Sequence, residues 1–193
     1  MSQINVNTVN EYASANGVTV DGVLIKDGGI ASTFITGLTS GLSSAQIFRL
    51  TTNTNNTTFL KLWEAPDNTP AQGSIGSVVS VDTSTGYFSF SETGKYIVTS
   101  SILMFYHGNS TISQQIIFSN DDFSSSTVFA SKGFGAGYNS GAKAVDTSAI
   151  LDIQNTTNDK FGIYSICNNT NSFCQGNTDQ NMSMVQIIKL GET

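Results

Sequence analysis

The amino-acid sequence predicts an all-β protein whose larger part is an antiparallel jelly-roll sandwich. Hydrophobic residues make up 38% of the 193 residues and charged residues only 11%, whereas about a quarter of an ordinary domain is charged. The polar residues are mainly Asn, Ser and Thr, which disfavour helices and favour strands, turns and loops. Short apolar runs at alternating positions are separated by turn residues, which is typical of β proteins.

The first predicted element is a β-hairpin near the N-terminus. Val18 and Val20 alternate with polar residues, and Val23 and Ile25 stand at alternate positions after the Asp-Gly dipeptide at 21–22. Asp-Gly between such positions indicates a tight hairpin turn, because both residues tolerate positive φ. A two-stranded hairpin is only marginally stable alone in water, so this one needs a packing partner.

The segment that follows, from Ile30 to Ala45, is rich in small residues but also carries large apolar ones. These are Ile30, Phe34, Ile35, Leu38 and Leu42. A free linker has no reason to carry so many apolar side chains. We therefore divide the chain near residue 45 into an N-terminal hairpin and stalk segment, residues 1–45, and a head domain, residues 46–193.

The head domain contains longer alternating runs at regular spacing, separated by Asn, Gly, Ser or Asp clusters. The runs are QIFRLTT, TFLKLWEA, GSVVSVD, GYFSFSE, GKYIVTSSILMFYH, ISQQIIFSN, STVFASKG, TSAILDIQN, KFGIYSICN and MSMVQIIKLG. Turn signals every eight to twelve residues predict an all-β sandwich or barrel. Eight to ten strands in about 150 residues fit a jelly-roll sandwich.

Charge and hydropathy exclude some partners. The net charge is −6, with only eight basic residues, so no basic patch is expected to neutralise the phosphates of a nucleic acid. No apolar run is long enough to insert in a membrane, and we expect no signal peptide because the first residues lack a basic and an apolar region. No cofactor motif is present, and we expect no cofactor.

Groups that could support catalysis are sparse, and we expect no enzyme activity. No nucleophile motif surrounds a serine or cysteine. His107 stands where a long strand meets a turn, and we interpret it as a strand-end residue. Asp121 and Asp122 could form an acid–base pair or a calcium site, but adjacent strand positions point to opposite faces, which favours a solvated turn.

The two cysteines, Cys167 and Cys174, lie seven positions apart. They could face each other across a hairpin and form a disulfide in an oxidising compartment. The alternative is two free thiols, which the missing secretion signal favours. Two cysteines and one distant histidine do not make up a zinc site, so we expect no metal.

Exposed aromatic rings next to amides are typical of saccharide sites. The stretch GFGAGYNSG is too rich in glycine for an ordinary strand, and could present Phe134, Tyr138 and Asn139 on a loop of the head. The Asn/Ser-rich loop after Cys167 is a second candidate. The alternative is that Phe134 and Tyr138 close the end of the sandwich or contact a neighbouring subunit, and Trp63 fits a core or subunit-interface position.

Within residues 46–193, the pattern given by Phe88, Phe90, Gly94, Tyr96 and Val98 resembles the central strands of a known jelly roll. It is the trimeric jelly roll shared by tumour necrosis factor and complement globular heads. SAILDIQNTTNDKFGIY is similar to the stretch of that fold before its penultimate strand, and MSMVQIIKLG is similar to its last strand. The turn TNDK, residues 157–160, departs from the usual turn of that family.

The N-terminal stretch VNEYASANGVTVDGVLIKDG, residues 9–28, carries a second resemblance. It is similar to a short module that recurs in structural proteins of tailed phages and large aquatic viruses, ahead of fibre, spike or surface-head domains. The shared ordering is Glu11-Tyr12, Asn16-Gly17-Val18, Asp21-Gly22-Val23 and Lys26-Asp27-Gly28.

Together the resemblances imply a non-enzymatic virion structural protein, assembled in the host cytoplasm: a homotrimeric surface head or fibre, used in capsid decoration or as a tail fibre or spike. Its partners would be its own copies, other virion structural proteins held through the N-terminal segment, and a host-surface glycan or protein. Three hairpins would form a small prism around a threefold axis. The trimer-interface residues of this prediction are Val18, Val20, Val23, Ile25, Phe34 and Leu38.

Two alternatives belong to other classes of protein. A monomeric carbohydrate-binding module or adhesin would present a free jelly roll with a concave aromatic face, and it leaves the N-terminal hairpin unexplained. A hydrolase on a β-sandwich is the third interpretation, but the sequence offers no residue set for it.

Overall fold

A computed structural model describes residues 18–20, 23–26, 29–30, 42–55, 57–66, 74–108, 110–137 and 139–192. Two compact units make up the chain, Met1–Gly41 and Leu42–Thr193. The described residues form strands, turns and loops without a helix, as the composition predicted. Accordingly, the described part of the chain holds no helix that could span a membrane.

The described strands of the first unit form a three-stranded antiparallel sheet in the order β1-β2-β3. They are β1 (Val18–Val20), β2 (Val23–Lys26) and β3 (Gly29–Ile30). Val18 lies opposite Ile25 and Val20 lies opposite Val23, which confirms the predicted hairpin pairing. The sequence did not predict β3, which pairs with β2 through Ile25 and Ile30.

The second unit is an antiparallel β-sandwich built from the strands that follow. They are β4 (Ala45–Leu50), β5 (Thr54–Asn55), β6 (Thr58–Phe59), β7 (Trp63–Glu64), β8 (Val79–Asp82), β9 (Tyr87–Phe90), β10 (Gly94–Tyr106), β11 (Ser110–Ser119), β12 (Thr127–Ala136), β13 (Gly141–Ile153), β14 (Lys160–Cys167), β15 (Phe173–Cys174) and β16 (Met184–Gly191). The unit begins at Leu42, a few residues before the predicted start at residue 46, since Ser44 is buried and its carbonyl accepts a hydrogen bond from the Lys189 amide at 3.0 Å.

Two sheets form the layers of the sandwich. The front sheet has the order β5-β15-β10-β16-β4-β7, with β13 pairing the other side of β10. The back sheet has the order β12-β11-β14-β9-β8, with β6 pairing β14. This arrangement confirms the predicted all-β jelly-roll sandwich.

Alternating apolar side chains from both sheets fill the space between them, as a strand period of two requires. In β10 the side chains of Tyr96, Val98, Ile102 and Met104 are fully buried. Each buried side chain of this size contributes about 1.5–3 kcal/mol to the free energy of folding. Trp63 also lies in this core, where its indole N–H donates to the Leu60 carbonyl at 2.8 Å.

A buried polar contact joins the two sheets. Gln114 of β11 in the back sheet accepts a hydrogen bond from Ser100 Oγ of β10 in the front sheet at 2.7 Å. Its side-chain amide nitrogen, Nε2, donates to the Ser100 carbonyl at 3.1 Å and also to the Val145 carbonyl. Because buried polar groups are costly unless they are bonded, these contacts favour one alignment of the sheets.

The run TFLKLWEA, predicted as a single strand, is two strands in different sheets. Thr58-Phe59 pairs with β14 in the back sheet, whereas Trp63-Glu64 pairs with β4 in the front sheet. Leu62, between them, has φ +59°, a left-handed conformation that ends a strand. The single-strand prediction was wrong because alternation alone does not show where a chain crosses between layers.

Candidate subunit interface

The outer face of the front sheet carries an apolar row across three neighbouring strands. Ile97 of β10 lies directly opposite Ile150 of β13 on one side and Ile188 of β16 on the other. Ile188 in turn lies opposite Ala45 of β4. The Ile150 side chain is 62% exposed, and we call these four positions and the neighbouring Ile47 the front face.

Charged groups lie at the ends of the front face rather than in it. One row away, Lys95 pairs with Asp152 at 2.9 Å. Further along in the other direction, Ser101 Oγ donates to Asp146 at 2.6 Å. The positions between these groups are apolar or uncharged, so the front face is an uncharged patch with charged groups at both ends.

A second apolar surface lies where β12 and β13 are the edge strands of their sheets. Among the described strands, β12 pairs only with β11, and β13 only with β10. Val128 is 48% exposed and Phe129 is 46% exposed, both on β12. An open strand edge can pair with a further chain unless charged residues blunt it, and this edge carries the exposed Lys132 and Lys143. This edge and the front face are two different surfaces of the second unit.

Sequence reasoning missed the front face, although a signal for it exists. A half-solvated strand alternates apolar and polar residues, but three strands here carry apolar residues at two consecutive positions. The pairs are Ile97-Val98, Ile150-Leu151 and Ile187-Ile188. In each pair one residue is buried in the core and the other lies on the front face.

The predicted trimer-interface residues lie in the first unit or outside the described residues. Val18, Val20, Val23 and Ile25 are paired across β1 and β2. Phe34 and Leu38 lie outside the described residues. Their role at a threefold axis stays a prediction.

The predicted ligand-binding residues are not gathered in a loop. Phe134 lies in β12, so its placement on a loop was wrong: the strand extends through the glycine-rich stretch because Ser110–Phe118 of β11 supplies its pairing partners. The Phe134 ring is half-buried, 5.4 Å from the Tyr106 ring and 4.9 Å from Lys143 Nζ. Asn139 is exposed, and Tyr138 lies outside the described residues.

His107 and the loop after Cys167 hold each other in place. His107 directly follows β10, is exposed, and its amide donates to Ser172 Oγ at 3.1 Å. Its carbonyl accepts from Asn169 Nδ2 at 2.9 Å. The loop that was a candidate for binding is thus fastened to the end of a central strand.

Asp121 and Asp122 have separate structural partners. Asp121 Oδ1 accepts from the Ser125 amide at 2.8 Å and from Ser119 Oγ at 2.8 Å, and these bonds, those from Ser125 foremost, lower the pKa of Asp121. Asp122 forms an ion pair with Lys160. The two aspartates therefore stabilise a turn, which agrees with the solvated-turn interpretation.

The two cysteines are free and buried. They do not face each other across a hairpin, because Cys167 ends β14 in the back sheet and Cys174 lies in β15 in the front sheet. The contact between them therefore crosses the sandwich. A hydrogen bond with Cys167, together with burial, raises the pKa of the Cys174 thiol.

Comparison with solved structures places the fold among tumour-necrosis-factor-like jelly rolls. The Eiger TNF of S. frugiperda superposes with a TM-score of 0.58 at 15% identity, over 77% of this chain and 93% of that one. Murine APRIL, in a crystal structure at pH 5.0, superposes with a TM-score of 0.56 at 11% identity, over 76% of this chain and 98% of that one. No family profile matches the sequence, and no curated protein is detectably similar to it.

Proposed function

We propose that the chain is a non-enzymatic virion structural protein, a homotrimeric surface head or fibre protein. In this proposal the first unit attaches it to other virion proteins and the sandwich is the outward head. The observation that carries the self-association is the pair of different apolar surfaces, the front face and the β12–β13 edge. When two different surfaces of one subunit meet in neighbouring copies, the contact is heterologous and repeats until a ring closes.

The number three and the virion come from the resemblances in the sequence. The motif around Phe88, Gly94 and Tyr96 resembles a jelly roll that assembles as a trimer, and the fold comparison supports that class. The N-terminal module resembles those of viral structural proteins. A particle surface protein needs a segment that attaches it and a head domain, and neither needs a catalytic site. Within the described residues, His, Cys, Asp and Glu side chains form no cluster of three or more that could hold a metal ion.

The test is the native mass in solution, measured by light scattering on the full chain and on a chain lacking residues 1–41. We expect a mass of three times the 20.5 kDa chain mass for the full chain, and a trimer that dissociates more readily after truncation. Localisation of the protein on purified particles then tests the virion assignment. A monomer in both measurements would overturn the proposal and favour the monomeric carbohydrate-binding module.

A further inference from the structure

The outer surface of the back sheet carries a cluster of four aromatic rings, which we call the back-face cluster: Phe59, Tyr87, Phe123 and Tyr164. All four are half-buried. The Phe59 ring meets the other three edge to face, at centroid distances of 5.0–5.4 Å. Tyr87 and Phe123 are stacked at 3.8 Å.

The glycine below the cluster is needed for this arrangement. A Cβ at Gly162 of β14 would lie 2.8 Å from a ring carbon of Phe59 and 3.4 Å from one of Tyr87. Real Cβ atoms do not approach that closely, so an alanine at this position would displace Phe59. The backbone of β14 therefore leaves space for rings on its solvent side.

Phe123 is held in the cluster by an unusual backbone conformation. Asp122 and Phe123 have φ values of +58° and +61°, which a bulky residue such as Phe rarely adopts. The conformation is fixed by bonds from the Phe123 amide to Ser119 Oγ at 2.8 Å and from the Asp122 amide to the Asn158 carbonyl at 3.0 Å. Backbone strain of this kind concentrates at functional sites.

Beside the cluster lies an open cleft of about 340 Å³ lined by Asp82, Thr85, Tyr87, Ser89, Asp122 and Lys160. Tyr87 belongs to both the cleft and the cluster. The other groups are hydroxyls, carboxylates and one ammonium, so the cleft offers hydrogen-bond donors and acceptors around one aromatic wall. The volume of the cleft lies within the range of small-ligand sites, and its lining is polar except for the Tyr87 ring.

We propose that this cleft binds an uncharged hexose unit of a glycan. A pyranose ring has an apolar C–H face that stacks on an aromatic ring, and hydroxyls that both donate and accept hydrogen bonds. Tyr87 supplies the ring, and Asp82, Ser89 and Lys160, whose ammonium also pairs with Asp122, supply the hydrogen-bonding groups. Two carboxylates against one ammonium leave the lining net negative, which selects against anionic sugars.

This inference is independent of the proposed trimer, because the cleft lies on one subunit and on the sheet opposite the front face. It also differs from the saccharide site predicted from the sequence, since it uses none of Phe134, Tyr138 and Asn139. Failure of sugar binding would leave the measured native mass unaffected, so the two tests fail separately.

Saturation-transfer NMR on the full chain tests the proposal with four probes: methyl β-galactoside, methyl α-mannoside, methyl β-N-acetylglucosaminide and the anionic N-acetylneuraminic acid. We expect transfer to at least one neutral glycoside, with a Kd of about 1 mM as a single small sugar allows. Anionic sugar should give less transfer than that glycoside.

Tyr87→Ala should weaken binding by about tenfold or more, which is the loss of one good contact. Tyr164→Ala is the matched control, because it also removes a ring that contacts Phe59 but lies outside the cleft, and it should bind within about twofold of the wild type. Ser89→Gln keeps every ring and fills the cleft, so it should abolish transfer. It tests the proposal even if Tyr87→Ala does not fold. No transfer to any neutral glycoside, stronger binding of the anionic sugar, or wild-type binding by Ser89→Gln would overturn the proposal.

Discussion

At the residue scale, Gly94 shows why one position of the jelly-roll motif must be glycine. It begins β10 with φ +143°, a conformation that residues with a Cβ rarely adopt. An added Cβ would lie 2.5 Å from the Gly191 carbonyl oxygen and 2.7 Å from Lys189 Cε. The last strand of the sandwich therefore packs directly against this backbone.

Gly94→Ala should lower the free energy of unfolding by about 2 kcal/mol or more, because it combines backbone strain with a steric clash. Urea denaturation measures the change. Gly135→Ala is the matched control, since a Cβ there meets nothing within 4 Å, and it should stay within about 0.5 kcal/mol of the wild type. Equal stability of the two variants would contradict this account of the motif.

The burial of single side chains was predictable where apolar residues alternate along a strand. It was not predictable where it depends on one specific contact with another strand. Phe88, Phe90 and Tyr96 of the motif are buried in the core, as their alternation indicates. Gln114 is also fully buried, on the same strand face as Ile112 and Ile116, but nothing in ISQQIIF shows what would bond its buried amide. Its burial depends on Ser100 and Val145 of the other sheet, which only the folded chain brings near.

At the element scale, the turn between β11 and β12 depends on Asp121, which in turn positions Phe123 over Tyr87. Hydrogen bonds, first those from Ser125 and then from Ser119, hold the pKa of Asp121 below its usual value. A lowered pKa means that the stabilising effect is complete above the ordinary value and is lost as the pH falls through the lower folded value.

Asp121→Asn should therefore lower the melting temperature at pH 7, and the difference from the wild type should shrink as the pH falls below about 4. Thermal unfolding followed by circular dichroism at several pH values measures this. Asp82→Asn provides a comparison in another turn, where hydrogen bonds from Ser84 also lower the pKa of the aspartate. A difference between Asp121→Asn and the wild type that stays constant down to about pH 2 would show that the charge of Asp121 does not matter.

Element boundaries followed the alternation except where the chain changed sheets or gained a pairing partner. The run around Leu62 was divided because its two halves pair in different layers. The glycine-rich stretch around Phe134 became a strand because β11 is long enough to pair with it. Both outcomes depend on tertiary pairing, which overrides local propensity.

At the scale of the whole molecule, the sandwich was predictable because regular turn spacing and alternating runs allow few arrangements. The apolar surfaces of the sandwich were less predictable, because the sequence does not show which of two consecutive apolar residues faces the core. Ile97-Val98 and Ile187-Ile188 look alike in the sequence until the pairing register is known. The front face shares no residue with the stalk interface predicted from the sequence, so each can be tested by itself.

Ile150→Glu tests whether the front face joins copies of the chain. Ile150 is 62% exposed, so a charge there should change the stability of a single subunit by no more than about 0.5 kcal/mol. In a subunit contact, however, the same charge would be buried without a partner and the trimer would dissociate. Light scattering should show a shift from trimer to monomer at equal protein concentration.

Leu62→Glu is the matched control, because Leu62 is also exposed, at 48%, but lies in the connection between β6 and β7 outside the front face. The native mass of this variant should stay that of the wild type. A trimer that survives Ile150→Glu would remove the front face from the interface and leave the N-terminal unit as the site of association.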